Sequence, residues 1–147
     1  MTEPFYEFTI LDKAHRFDFV SIGEQIIKKT IIFHQTHHTN IYSLTLADIT
    51  ENQELDIYKV SDNGDMKKIL STVLRTIYVF LERYPMAKVV FSGSTPSRTR
   101  LYQIAINHEL SNFQSRFLIE GYTQEKGFEP FTKNKSYDGF AISEKKP

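Results

Sequence analysis

Met66, Ile69, Leu70, Val73, Leu74, Ile77, Phe80 and Leu81 recur at intervals of three and four. At 3.6 residues per turn this spacing lays one apolar stripe along a helix. Lys67, Lys68, Arg75 and Glu82 fall mostly off the stripe. Ser61-Asp62-Asn63-Gly64-Asp65 supplies turn and N-cap residues before it, with acids where the helix dipole favours them. Tyr84-Pro85 stops it, because a residue that precedes proline avoids the helical region. A stripe this long needs a broad apolar surface to lie on, and the flanking sequence reads as strands.

Ile41 to Ala47 places Tyr42, Leu44 and Leu46 against Ser43 and Thr45, a clear period of two. Phe5 to Leu11, Phe17 to Ile22 and Ile26 to Phe33 read as strands too, rich in aromatic and β-branched residues. Gln35 to Asn40 reads as a hairpin loop and Asp48 to Asp56 as an acidic loop, with a short strand expected over Asp56 to Val60. Beyond the long helix, Lys88 to Phe91 forms a short strand. A second helix opens at Pro96 behind Thr95 or Ser94 as N-cap and ends near Leu110, with Leu101, Ile104, Ala105 and His108 inward. Strands are expected over Phe113 to Tyr122 and Tyr137 to Ser143, joined by a long polar connection, Thr123 to Ser136. Strands segregated from helices indicate α+β. The expected architecture is a single domain, residues 1–147, with one mostly antiparallel sheet of about six to seven strands and both helices on one face.

Composition narrows the function classes. There are no cysteines, which removes disulfides and thiolate metal sites. No apolar run approaches the ~18 residues of a membrane span, and the acidic start MTEPFYEF lacks a secretory pattern, so a cytoplasmic protein is expected. A formal net charge of zero argues against a nucleic-acid binder that uses its whole surface. Residues 1–73 hold 7 Lys and Arg against 11 Asp and Glu, and residues 74–147 hold 11 against 7. So small a bias is ordinary scatter, although it could put a basic face near the middle of the chain.

Chemistry concentrates where the Lys88 to Phe91 strand meets the second helix. Gly93 offers close approach to the backbone, and Ser94, Thr95 and Ser97 add donors. Arg98 and Arg100 add planar forks suited to phosphate. Tyr102 could stack on or orient a ligand. Residues two apart on a helix do not face the same way, so one arginine is expected to reach a ligand while the other pairs with an acid such as Glu109 or Glu120. The plain alternative is a well-capped helix with its arginines in ion pairs. A P-loop is absent, because Gly-Lys-Ser/Thr is missing. A nucleotidyltransferase needs two alternating acids on the next strand, and Phe113 to Tyr122 offers only Glu120. Ser92-Gly93-Ser94-Thr95-Pro96 lacks the second glycine of a nucleophile elbow. His34, His37 and His38, with His15 elsewhere, lack an obvious fourth ligand and read as loop residues, so neither metal nor cofactor is expected.

The spaced set Ser61-Asp62-Asn63-Gly64-Asp65, Phe91-Ser92-Gly93-Ser94 with Arg98-Thr99-Arg100-Leu101-Tyr102, Gly121, Gly127-Phe128-Glu129-Pro130-Phe131, and Tyr137 with Phe140 resembles a family of small bacterial proteins of unknown function. The resemblance covers most of the chain. It implies a single-domain bacterial cytosolic protein and brings no activity with it. Three functions are therefore weighed. The first is an anion binder for a phosphate-bearing nucleotide or nucleic acid, at Gly93 to Tyr102. The second is a nucleic-acid- or nucleotide-processing enzyme, such as a toxin-like nuclease, using His108 or Glu120 as acid or base. His108 also reads as a hydrogen-bonded core residue. The third is a protein-interaction module using residues 123–136, where Phe128 and Phe131 would form an exposed apolar patch. Tyr102, Tyr122, Tyr137, Phe128, Phe131 and Phe140 could line a base-stacking groove beside Lys126, Lys133 and Lys135, but aromatics more often pack.

Overall fold

A computed structural model of the chain describes residues 4–56, 63–93 and 95–145, without the side chains of Asn112 and Phe113. The elements are β1 Thr9–Leu11, β2 Arg16–Ile22, β3 Ile26–Gln35, β4 Ile41–Ile49, β5 Leu55–Asp56, α1 Met66–Arg83, β6 Lys88–Phe91, α2 Pro96–Phe113, β7 Phe117–Thr123, β8 Gly127–Pro130 and β9 Gly139–Glu144. The strands form one sheet in the order β1-β2-β3-β4-β6-β9-β7-β8, with β5 paired to β4 off that path. The α+β class holds, with nine strands among the described residues rather than six or seven. All described pairings are antiparallel except β4 with β6, which meet in parallel at Ile41↔Lys88, Tyr42↔Val89 and Ser43↔Val90. A parallel pair needs a crossover, and α1 supplies it.

Alternation along the strands turns Phe17, Phe19, Ile31, Phe33, Val89, Phe91, Phe117, Ile119, Phe140 and Ile142 toward the helices, where each is buried. Phe80 of α1 stacks on Phe33 at a ring separation of 4.4 Å, and Tyr102 of α2 meets Phe91 edge-on at 5.2 Å. Both helices thus cover the same face. α1 buries the expected stripe from Ile69 on, with Met66 only half-buried, and also Ser71, Thr72, Thr76 and Tyr78. The hydroxyls of Thr72 and Thr76 bond back to Lys68 O and Val73 O, which removes the cost of burying them. Residues 4–8 run over α1 as an irregular strap in place of the first half of the expected strand, held where Tyr6 N donates to Thr72 Oγ1 at 2.9 Å.

Several boundaries differ from expectation. Asp48 belongs to β4 and pairs with Lys29 at 2.5 Å in the core, so it is not a loop acid. The stretch 123–136 contains β8, which forms a hairpin with β7. Its turn places Gly127 at φ +74°, a conformation that glycine adopts freely. Helix α2 runs to Phe113, three residues past the expected end, and the following strand starts at Phe117. The strand expected over Asp56 to Val60 falls largely on residues outside those described. No described helix is long and apolar enough to cross a membrane.

Candidate functional site

The junction between β6 and α2 forms because Gly93 has no side chain. A Cβ there would lie 2.4 Å from Thr99 N and 2.7 Å from Arg98 Cβ. The glycine therefore lets the first turn of α2 close onto the strand end, rather than admitting a ligand. Thr95 is the N-cap, its Oγ1 accepting from Arg98 N at 3.2 Å, and Pro96 opens the helix. Gly93 N donates to Thr99 Oγ1 at 3.0 Å, and that hydroxyl donates to Thr95 O at 3.1 Å. Thr99 N also bonds Thr95 O. The amides of Gly93, Arg98 and Thr99 are thus engaged within the junction, so any ligand contact there leans on side chains. Ser94 lies outside the described residues.

Beside this junction runs a groove of about 870 Å³ between α2 and residues 134–138. Of the residues singled out in the sequence, Gly93, Thr95, Ser97 and Arg100 line it. Arg100 is exposed and has no carboxylate partner among the described residues. Arg98 does not line the groove. It points across to α1, with Nη1 3.6 Å from Met66 Sδ. The two arginines face apart, as residues two apart on a helix should. The acids expected to pair with one of them are committed elsewhere. Glu109, 1 % exposed, meets Arg75 of α1 at 3.5 Å, and Glu120 meets Lys88 at 3.1 Å. Tyr102 is 5 % exposed in the core, where burial raises its phenol well above the usual value. It cannot stack on a ligand in the groove without leaving Phe91.

The enzyme candidates do not converge on the groove either. His108 is exposed, not a core histidine, and does not line the groove. Glu120 alternates with the inward Ile119 and so projects from the opposite face of the sheet. Among the described residues no three His, Cys, Asp or Glu side chains group as metal ligands. His34 bonds Thr45 Oγ1 at 3.1 Å and His37 and His38 are exposed, while His15 packs among Tyr42, Phe80 and Tyr84.

Sequence reading missed Gln103, Asn107, Asn134, Ser136 and Asp138, which also line the groove. Ser97, Arg100, Gln103 and Asn107 recur at three and four, so a polar stripe on α2 was there to be found. The opposing wall is built by the Glu129 segment. Glu129 accepts from Lys135 Nζ at 2.7 Å and from Tyr137 OH at 3.0 Å, and the lysine ammonium, then the tyrosine hydroxyl, hold its carboxyl below the ordinary range. Tyr137 OH in turn accepts from Thr132 N at 3.1 Å. Its ring lies on Gly121, where a Cβ would come within 2.4 Å of the ring. Gln103 Nε2 donates to Lys135 O and ties the wall to α2. Asp138 accepts from Gln124 N at 3.0 Å.

The start of α1 has the same ingredients in another arrangement. Asn63 is buried, with Nδ2 donating to Ser21 Oγ and Gln25 O at 3.0 and 2.8 Å, and Oδ1 accepting from Gln25 N at 2.8 Å. Asp65 is the N-cap by position, yet its carboxylate accepts from Tyr6 OH and Ser21 Oγ, both at 2.5 Å. Ser61 and Asp62 lie outside the described residues.

No curated protein and no solved structure matches the chain. The model of one family, described as a family of unknown function (DUF6934), matches residues 2–145. With nearly the whole chain matched, the protein belongs to that family of unknown function.

Proposed function

We propose that the protein binds a phosphate-bearing ligand in the groove along the first turns of α2. One observation carries the reading: the Arg100 guanidinium is exposed on the groove with no carboxylate partner among the described residues. An arginine in that state offers two parallel N–H donors to an oxyanion. Ser97 and the positive end of the helix lie beside it. The groove falls within the size range of small-molecule sites. Thermal shift on the full chain with inorganic phosphate and with ribose 5-phosphate tests it. Binding to the folded state raises the melting temperature by mass action. The rise should vanish in Arg100→Ala, persist in Arg98→Ala and shrink at high salt. An unchanged rise in Arg100→Ala would sink the reading.

A second reading has its own support. Phe128 is 48 % exposed on the sheet face away from the helices, where it lines a depression of about 420 Å³ with Val90 and Tyr122. That surface suits a protein partner. Phe128→Ser would then abolish co-purification of such a partner and leave phosphate binding intact.

A further inference from the structure

The groove differs at its two ends, and the difference narrows the ligand. Ser97 and Arg100 stand at one end. Asn107 stands two turns further along α2, and Asn134 also lines the groove, from the other wall. At 1.5 Å per residue, Arg100 and Asn107 are about 10 Å apart along the helix axis. Arg100 and the Ser97 hydroxyl thus mark one end and carboxamides the other, while the remaining charged lining residues, Lys135 and Asp138, are engaged by Glu129 and by Gln124 N.

Between them sits Ile104, 39 % exposed although it is a large apolar side chain on a helix that buries its neighbours Ala105 and Ile106. It presents an apolar side chain to the groove. Beyond it, Asn107 Oδ1 is shielded from solvent and has no hydrogen-bond donor. A buried amide oxygen left without a donor costs free energy, and such orphans are few in native proteins. The terminal torsion of asparagine is soft, so a small turn brings the amide to a ligand in the groove. Gln103 has its Nε2 engaged by Lys135 O, which leaves its Oε1 as a further acceptor.

We infer that the groove takes a nucleoside monophosphate, with phosphate at Arg100 and Ser97, the ring over Ile104, and the base edge read by Asn107. Carboxamides carry both donor and acceptor and so match the edge of a nucleobase. An apolar side chain gives the ring a surface to rest on. The span from cation to carboxamide suits one nucleotide, not a strand. This inference rests on the phosphate reading above for one end of the ligand only.

Calorimetric titration of the full chain with inorganic phosphate, ribose 5-phosphate, the common nucleosides and their 5′-monophosphates tests it. At least one nucleoside monophosphate should bind about tenfold tighter than ribose 5-phosphate. Asn107→Leu should erase that difference and leave ribose 5-phosphate affinity unchanged. Asn107→Asp, which keeps the shape of the side chain, should reorder the base preference, and it serves if the leucine variant fails to fold. Arg100→Ala should weaken every phosphate-bearing ligand and keep the order of the bases. Equal affinity for ribose 5-phosphate and all monophosphates would overturn the base subsite while the phosphate reading stands. Nucleosides binding as tightly as their monophosphates would overturn the phosphate reading while the base subsite stands. A short oligonucleotide binding more than tenfold tighter than any mononucleotide would replace a single-nucleotide site with a strand site. No binding by any of these probes would overturn both.

Discussion

The two helices begin in similar sequence and dissimilar chemistry. Asn63-Gly64-Asp65 precedes α1, and Gly93 to Thr95 precedes α2. Each has a glycine, short polar side chains and an N-cap. At α1 the polar groups turn inward. Asn63 staples the β2–β3 turn through three hydrogen bonds, and Asp65 gathers two hydroxyls. At α2 the amides of Gly93, Arg98 and Thr99 are engaged within the junction, yet Ser97 and Arg100 line a groove. Turn residues before a helix thus do not by themselves mark a site. What separates the two junctions is whether the charged and polar tips already have protein partners.

Substitutions should separate the two junctions, the closed one showing the larger losses. Gly23 lies under Asn63, and a Cβ there would sit 1.8 Å from Asn63 O. Because that atom is backbone, Gly23→Ala should cost at least about 3 kcal/mol in chemical denaturation. A variant of near-native stability would show that the α1 junction is looser than described. Asn63→Ala removes three hydrogen bonds at a buried position and should cost about 2 kcal/mol. At the open junction, Thr95→Ala removes only a cap, for about 1 kcal/mol. Arg100→Ala should change stability by less than about 0.5 kcal/mol while abolishing phosphate binding, the pattern of a side chain whose partner is not the protein itself.

Acid offers a finer probe of the groove wall. The Glu129 carboxyl is lowered in the folded state, first by its hydrogen bonds from Lys135 and then by Tyr137. A lowered carboxyl stabilises fully above its unfolded value, near pH 4.3, and the contribution fades as pH falls through the folded value. Hydrogen-exchange protection in residues 131–138, taken relative to unprotected amides at the same pH, should therefore fall below about pH 4 while that of Asn63 and Asp65 holds. Glu129→Gln should remove the pH dependence. Loosening of both regions together would mean that the wall is not an independent element.

The fold was more legible than the site. The stripe of α1 and the alternation of β4 are periodic signals that burial alone enforces. β8 was hidden because Gly127-Phe128-Glu129-Pro130 is a half-exposed edge strand, which needs neither alternation nor freedom from proline. The inward face of α2 was displaced. Leu101, Ile104 and His108 are exposed, whereas Thr99, Tyr102, Ile106 and Glu109 are buried. The buried Glu109 meets Arg75 of the other helix, a partnership that no local pattern reveals. Arg100 was legible because its chemistry is its own. Asn107, Asn134 and Asp138 were not, because they become neighbours only when residues 134–138 fold against α2.

The short parallel seam between β4 and β6 sets an order of assembly. Strands β2, β3 and β4 close through tight turns, and β7 with β8 forms a local hairpin. The seam joins these halves over three residue pairs and must wait until α1 has carried the chain across. Closing so long a loop costs entropy before any contact rewards it, so the seam belongs to the late, slow part of folding. The α2 groove hangs from the strand that completes the seam, so a nascent chain acquires this groove only when the two halves have already met.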